Sequence, residues 1–279
     1  MGGSGKTPLI IALVREFKEK GYSVGVVSRG YGGKAIRYPL IVSKNTPVSE
    51  SGDEPLLIVK SCGCPVVVDP NRENAVRTLL ERFSCDLVLS DDGLQHYQMH
   101  RDVEVAVIDA SRGLGNKLTL PAGPLREPLK RLQEVDFVVH NGGECINADS
   151  GNAKNTCFVK LEPVGLRKFG AEELISAAQW VDSMSVHAVA GIGHPERFAS
   201  TLKEMGFEPD LHAKNDHEAL SIGDLRFKDQ RPIIITEKDA VKYNDAVPDN
   251  LWVLEVRMRL SDQLVDNVLA CAGLPVTNL

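Results

Sequence analysis

Short apolar runs alternate with amphipathic stretches along most of the chain. Positions 8–20 place Leu9, Ile10, Leu13, Val14 and Phe17 on one face at helical spacing, which predicts a helix. Pro8 fits its first turn, where N–H groups have no intrahelical partner, and Gly21 fits its end. Runs at 24–27, 40–42 and 65–68 predict strands, and 71–83 predicts an amphipathic helix. Runs at 86–89, 103–108 and 137–140 have the short, bounded form of buried parallel strands. Residues 111–128 read as a long Gly/Pro-rich loop and 141–156 as a polar connector. Beyond residue 183 the alternation resumes, with strands at 186–190, 232–236 and 251–256 and helices at 195–205 and 261–271. The expected fold is α/β, a mainly parallel sheet sandwiched by helices over 1–182, then a smaller α/β domain over 183–279.

Composition narrows the function classes. A chain of 279 residues with 43% hydrophobic and 25% charged residues can bury a core, which excludes overall disorder. A net charge of -6 without Lys/Arg clusters gives no expectation of nucleic acid binding. Of the six cysteines, Cys62 and Cys64 form C-x-C with no second pair, so reduced thiols are expected rather than a zinc knuckle. No signal peptide and no run of about 20 apolar residues is present.

Three motifs carry candidate chemistry. Gly2, Gly3, Ser4, Gly5, Lys6 and Thr7, followed by Pro8, match the second half of a G-x-x-x-x-G-K-[ST] phosphate loop. Glycines let backbone N–H groups converge on phosphate oxygens, and the helix that follows points its positive end at the same anion. Lys6 would face the β- and γ-phosphates of ATP, and Thr7 would ligate Mg²⁺. These features predict a P-loop NTPase-like nucleotide domain. Such a loop normally follows a strand, so a first strand is expected ahead of Met1. The second motif is the apolar run Leu87, Val88, Leu89 ending in Ser90, Asp91 and Asp92. Carboxylates at a strand's C-terminal edge are suited to Mg²⁺ beside a phosphate loop. The third is Gly52-Asp53-Glu54-Pro55. By residue type Asp53 is a turn former, and in a kinase it is alternatively a base for an acceptor hydroxyl.

The ordered set extends further. GGSGKT (2–7), SRGYGG (28–33), GDEP (52–55), DPNR (69–72), SDDGLQH (90–96), PAGPLREP (121–128), AGIGHPERF (190–198), DH (216–217) and TEKDAVKY (236–243) follow in this sequence. Over nearly its whole length the chain resembles the tetraacyldisaccharide 4'-kinase family, P-loop kinases whose acceptor is a membrane-embedded acylated glucosamine disaccharide. The resemblance implies phosphoryl transfer from ATP, with Mg²⁺, to the 4'-hydroxyl of a lipid A precursor. It implies Asp53 as catalytic base with His217 as its partner, and Asp91 and Asp92 near Mg²⁺. It also implies Arg72, Gln95, His96, Arg126 and Glu127 as polar residues of the acceptor cleft. Arg29 is left between a sugar-phosphate contact and a cap on the sheet edge. Leu94 replaces the family's usual Phe, and Lys214 stands where an aromatic is common. The family pattern further implies an upstream membrane-binding amphipathic helix and peripheral attachment at the cytosolic face of a bacterial inner membrane. Two rival readings share the phosphate motifs: a P-loop regulatory ATPase without a lipid acceptor, and an inactive binding remnant.

Overall fold

Helix α1 (Lys6–Glu19) buries Leu9, Leu13, Val14 and Phe17, the stripe expected from their spacing. It starts two residues before the expected position, because Gly5 caps it in the left-handed region at φ +93°. The computed structural model describes residues 4–142, 155–214, 221–243 and 247–276. Gly2, Gly3 and His217 therefore lie outside the described residues.

Strands β1 (Val24–Ser28) and β2 (Leu40–Val42) follow, then two helices for which the sequence pattern gives no element, α2 (Val48–Ser51) and α3 (Asp53–Cys62). The Gly/Pro signal at 52–55 marks a helix start: Gly52 is the cap and Pro55 occupies the first turn, where its missing N–H costs nothing. Next come β3 (Val66–Val68), α4 (Arg72–Arg82) and β4 (Leu87–Ser90). Asn71 caps α4 by accepting hydrogen bonds from the N–H groups of Glu73 and Asn74. The first sheet has the order β2-β3-β1-β4, parallel except for β2. β1 and β3 are buried along their full length, whereas β4 is half-buried throughout.

A separate parallel sheet, β5-β6-β7, is built from β5 (Val105–Asp109), β6 (Phe137–Asn141) and β7 (Thr156–Val159). β7 begins at the end of the stretch expected to be a connector. The chain then forms β8 (Leu161–Lys168), β9 (Leu174–Ile175), β10 (Ser185–Ala190), α5 (Pro195–Glu204) and β11 (Glu208–Ala213). It closes with β12 (Ile233–Thr236), α6 (Glu237–Ala240), β13 (Leu251–Met258) and α7 (Asp262–Cys271). Their sheet has the order β11-β10-β12-β13-β8-β9, parallel through β13 and antiparallel at β8 and β9.

The six-stranded sheet thus spans the expected division at 182/183, because β8 and β9 pair into it through β13. The last helix returns the other way. Leu264, Val265, Val268 and Leu269 of α7 share one apolar core with Leu9, Leu13 and Phe17 of α1, and Lys20 pairs with Asp266 at 2.8 Å. The two parts therefore share a core. Among the described residues no helix is long and apolar enough to cross a membrane.

Candidate active site

The C-terminal end of β4 turns sharply at Asp92, which holds φ +51°, before Gly93. An Asp tolerates this left-handed conformation better than most residues, and here it aims neighbouring carboxylates in different directions. Lys6 Nζ lies 3.4 Å from Asp92 Oδ1, and Arg126 Nη1 donates to both Asp92 oxygens at 2.8 and 2.7 Å. Burial pushes the Asp92 carboxyl up, but Lys6 and Arg126 outweigh it and hold the group below the usual range. Asp91 is 2% exposed. Its carboxyl is pushed up to about 7, first by burial and then by Glu54, with Lys6 opposing. Its Oδ1 has no hydrogen-bond partner among the described residues. A buried carboxylate oxygen without a donor is costly unless a cation or proton meets it.

Backbone contacts fix the loop around this pair. Asn141, at the end of β6, donates from Nδ2 to the Ser4 carbonyl at 3.1 Å. A Cβ at Gly5 would come within 2.2 Å of that same nitrogen, so the position requires glycine for space as well as for φ. At Gly52, φ +85°, a Cβ would meet the Tyr31 carbonyl at 2.5 Å, which brings the 30–33 loop against the start of α3. That start carries Asp53 and Glu54 in its first turn, where the positive end of the helix favours acids. Lys238, in α6, reaches across the cleft to Asp53 Oδ2 at 3.7 Å and Glu54 Oε1 at 3.3 Å.

The acceptor-cleft candidates separate into two groups. Gln95 and Glu127 form a surface cluster with Tyr97, Gln95 Nε2 donating to Glu127 Oε1 at 3.2 Å and Tyr97 to the same oxygen at 2.6 Å, while the adjacent Arg126 turns to Asp92. His96 is held below its ordinary pKa by burial and by the nearby Arg72 and Arg29. Arg72 differs, being only 3% exposed. It donates to the main-chain carbonyls of Asp69 at 3.2 Å and Asp91 at 3.0 Å, a geometry that braces the acidic turn from behind.

Phosphate-loop lysine, paired acids and a helix-start acid thus converge where the two parts meet. A sequence model of the tetraacyldisaccharide-1-P 4'-kinase (LpxK) family matches residues 1–272. The chain belongs to this family. It is 46% identical over 269 residues to tetraacyldisaccharide 4'-kinase of Hahella chejuensis, covering 96% of this chain and 77% of that protein. It is 45% identical over 265 residues to the enzyme of the same name from Pseudomonas syringae pv. tomato, covering 95% and 78%. The fold matches a crystal structure of LpxK from Aquifex aeolicus in complex with ATP, with TM-score 0.76 and 27% identity, covering 97% of this chain and 85% of that one.

Within this tetraacyldisaccharide 4'-kinase fold, several residues carry roles that sequence patterns do not reveal. Lys238 lies in TEKD, yet only the packing of α6 brings it to Asp53 and Glu54. Asp239, fully buried, accepts from Thr236 Oγ1 at 2.8 Å, the Gly191 N–H at 3.1 Å and Lys242 Nζ at 2.8 Å. It ties α6 to the loop after β10. Asn141 ends a strand, and no spacing rule connects it to Ser4. The donor set suits magnesium, since a buried, donorless Asp91 oxygen beside a second carboxylate is hard-oxygen chemistry.

Proposed function

We propose that the chain transfers the γ-phosphate of ATP to the 4'-hydroxyl of a tetraacyl glucosamine disaccharide 1-phosphate, a lipid A precursor. The observation that carries this reading is that Lys6 and Arg126 pair with Asp92, that Lys6 and Glu54 both act on the neighbouring Asp91 carboxyl, and that Lys238 arrives from the other part to pair with Asp53 and Glu54. A phosphoryl donor site and an acceptor base are both needed, and a regulatory ATPase needs only the first. Family membership along the whole matched length also favours the kinase.

In this reading Gly2, Gly3, Ser4, Gly5 and Pro8 form the triphosphate cradle and the helix start behind it. Lys6 exchanges its Asp92 contact for the β- and γ-phosphates. Thr7, Asp91 and Asp92 would hold Mg²⁺, which would supply positive charge to the transferring group. Asp53 accepts the proton of the attacking hydroxyl, and the family resemblance assigns His217, outside the described residues, as its partner. Lys238 orients the Asp53 carboxylate. Gln95, His96, Arg126 and Glu127 line the acceptor side, while Arg72 positions the acidic turn rather than the substrate.

The acceptor is lipid, so the protein works peripherally at the cytosolic face of the inner membrane. Exposed apolar side chains support this. Tyr31 is 67% and Ile36 87% exposed in the segment packed against the start of α3, and Leu118 and Leu120 are 52% and 54% exposed in the loop that carries Arg126. These offer apolar surface to acyl chains next to the polar cleft.

The test is mass spectrometry of a detergent-dispersed tetraacyl disaccharide 1-phosphate incubated with protein, ATP and Mg²⁺. Gain of one phosphoryl group at the 4' position supports the reading. ATP hydrolysis with an unmodified lipid would favour the regulatory ATPase, and absence of both would favour a binding remnant.

A further inference from the structure

We propose that the β10–β11 edge of the six-stranded sheet binds one divalent transition-metal ion of the zinc type through His187 Nδ1, His212 Nε2 and a carboxylate oxygen of Asp210. The register of the parallel strands brings these residues together. His187 lies opposite Asp210, and Val189 lies opposite His212. Side chains two apart along a strand share a face, so all three ligands project from one side.

Their ligand atoms lie within 4.8 Å of one another. His187 Nδ1 is 3.1 Å from His212 Nε2, and the Asp210 oxygen is 3.8 and 3.7 Å from those two nitrogens. Tetrahedral zinc with bonds near 2.0–2.1 Å sets its ligands about 3.3 Å apart, so small rotations of exposed Asp210 close the triangle.

The tautomer of His187 is decided by its other nitrogen. Nε2 lies 2.8 Å from Asp229 Oδ1, and a carboxylate in that position accepts, so Nε2 carries the hydrogen. The Nδ1 lone pair therefore faces His212 and Asp210. A carboxylate behind a histidine ligand is the arrangement that fixes ring orientation and raises ligand basicity at metal centres. The ring is also clamped flat against Phe227, at 3.6 Å between centroids and 7° between planes.

Arg231 is the competing group. Its Nη2 approaches His187 Nδ1 and Asp210 Oδ2 only at 3.5 Å each, whereas its Nε is held at 2.9 Å by Asp229. A metal displaces the two long contacts and leaves the short one. Asp210, Arg231 and Ser185 also line an open surface depression of about 450 Å³, which gives an ion and its remaining water a way in. Among the described residues β11 is an edge strand, paired only with β10, so an ion shared by the two strands would staple that edge.

The test uses untagged, chelator-stripped full-length protein in excess Mg²⁺, which occupies hard-oxygen sites. Zn²⁺ is titrated against a chromophoric chelator, and Co²⁺ serves as a spectroscopic probe. One equivalent should bind, with tetrahedral cobalt bands and a Zn²⁺-dependent rise in melting temperature. His212→Gln and Asp210→Asn, both at partly exposed positions, should each weaken binding at least tenfold and abolish the cobalt bands while leaving circular dichroism unchanged. Arg231→Gln should tighten binding by removing a like charge. Absence of binding to the wild type, or binding unchanged in His212→Gln and Asp210→Asn, overturns the proposal and leaves a simple hydrogen-bonded histidine pair.

Discussion

The Lys238 ammonium stands 3.7 Å from Asp53 Oδ2, so a side chain rooted beside the six-stranded sheet meets the first acid of a helix that lies between two strands of the four-stranded sheet. Any motion between the two parts of the cleft changes this distance. Closure of such a cleft is a means of excluding water from phosphoryl transfer.

Asp53→Ala should lower phosphoryl transfer by about 100- to 10,000-fold, the usual contribution of a positioned base. ATP binding should stay intact, because the role proposed for Asp53 is toward the acceptor hydroxyl and not the nucleotide. Unchanged lipid phosphorylation by the variant would reject the base assignment.

Lys238→Met should reduce kcat more than it raises KM for ATP, since Lys238 pairs with Asp53 and Glu54 at the start of α3. Steady-state kinetics with ATP varied at saturating lipid separates the two parameters. An effect confined to KM for ATP would place Lys238 on the nucleotide instead.

Lys6→Ala should cost about 100- to 1,000-fold in kcat, the scale for removing one preorganised charge donor from a transition state. It also releases Asp92 from a 3.4 Å contact, while Arg126 stays paired with it at 2.7 Å. Nucleotide titration monitored by fluorescence, together with turnover, measures both consequences.

Asp239→Ala should destabilise the fold by about 3 kcal/mol, because it leaves the nearly buried Lys242 without its 2.8 Å partner and the Gly191 N–H without its acceptor. Thermal and urea unfolding report the loss. A change within a few tenths of a kcal/mol would mean that the Asp239 network contributes little.

Glu237 supplies a pH dependence. Burial raises its carboxyl from 4.5 to about 7, against a hydrogen bond from the Val256 N–H. The folded chain therefore holds this proton more tightly than the unfolded chain. Its contribution to stability falls as pH rises from about 4.5 to about 7 and is constant above that. Glu237→Gln keeps an acceptor for Val256 and removes the ionisation. The variant should gain up to about 3 kcal/mol over wild type at pH 8 and little at pH 4. Urea unfolding at the two pH values gives the difference, and an equal effect at both would remove the titration argument.

The one-dimensional pattern was enough for elements whose cause is local. The 3.6-residue stripe of α1, the apolar blocks of β1 and β3 and the glycine–lysine loop ahead of α1 follow from spacing and dihedral preference. The polar edge strand β11, with Glu208, Asp210 and His212, has no apolar block, and it exists because β10 offers a pairing edge. β8 includes Pro163 and Gly165, which argue against a strand locally, yet it is held by pairing with β13 on one side and β9 on the other. The start of α3 was hidden because Gly-Asp-Glu-Pro signals a turn and a helix cap equally well.

Residue types alone determined that this chain would carry a phosphate loop, an acid-terminated strand and an α/β alternation, because each depends on short-range backbone and side-chain chemistry. Only the tertiary structure decided that Lys238 would reach Asp53, that Asn141 would hold the Ser4 carbonyl, and that Arg72 would brace Asp91 from behind. Such contacts join residues far apart in the chain. Their positions are set by how sheets and helices pack, which no local spacing encodes.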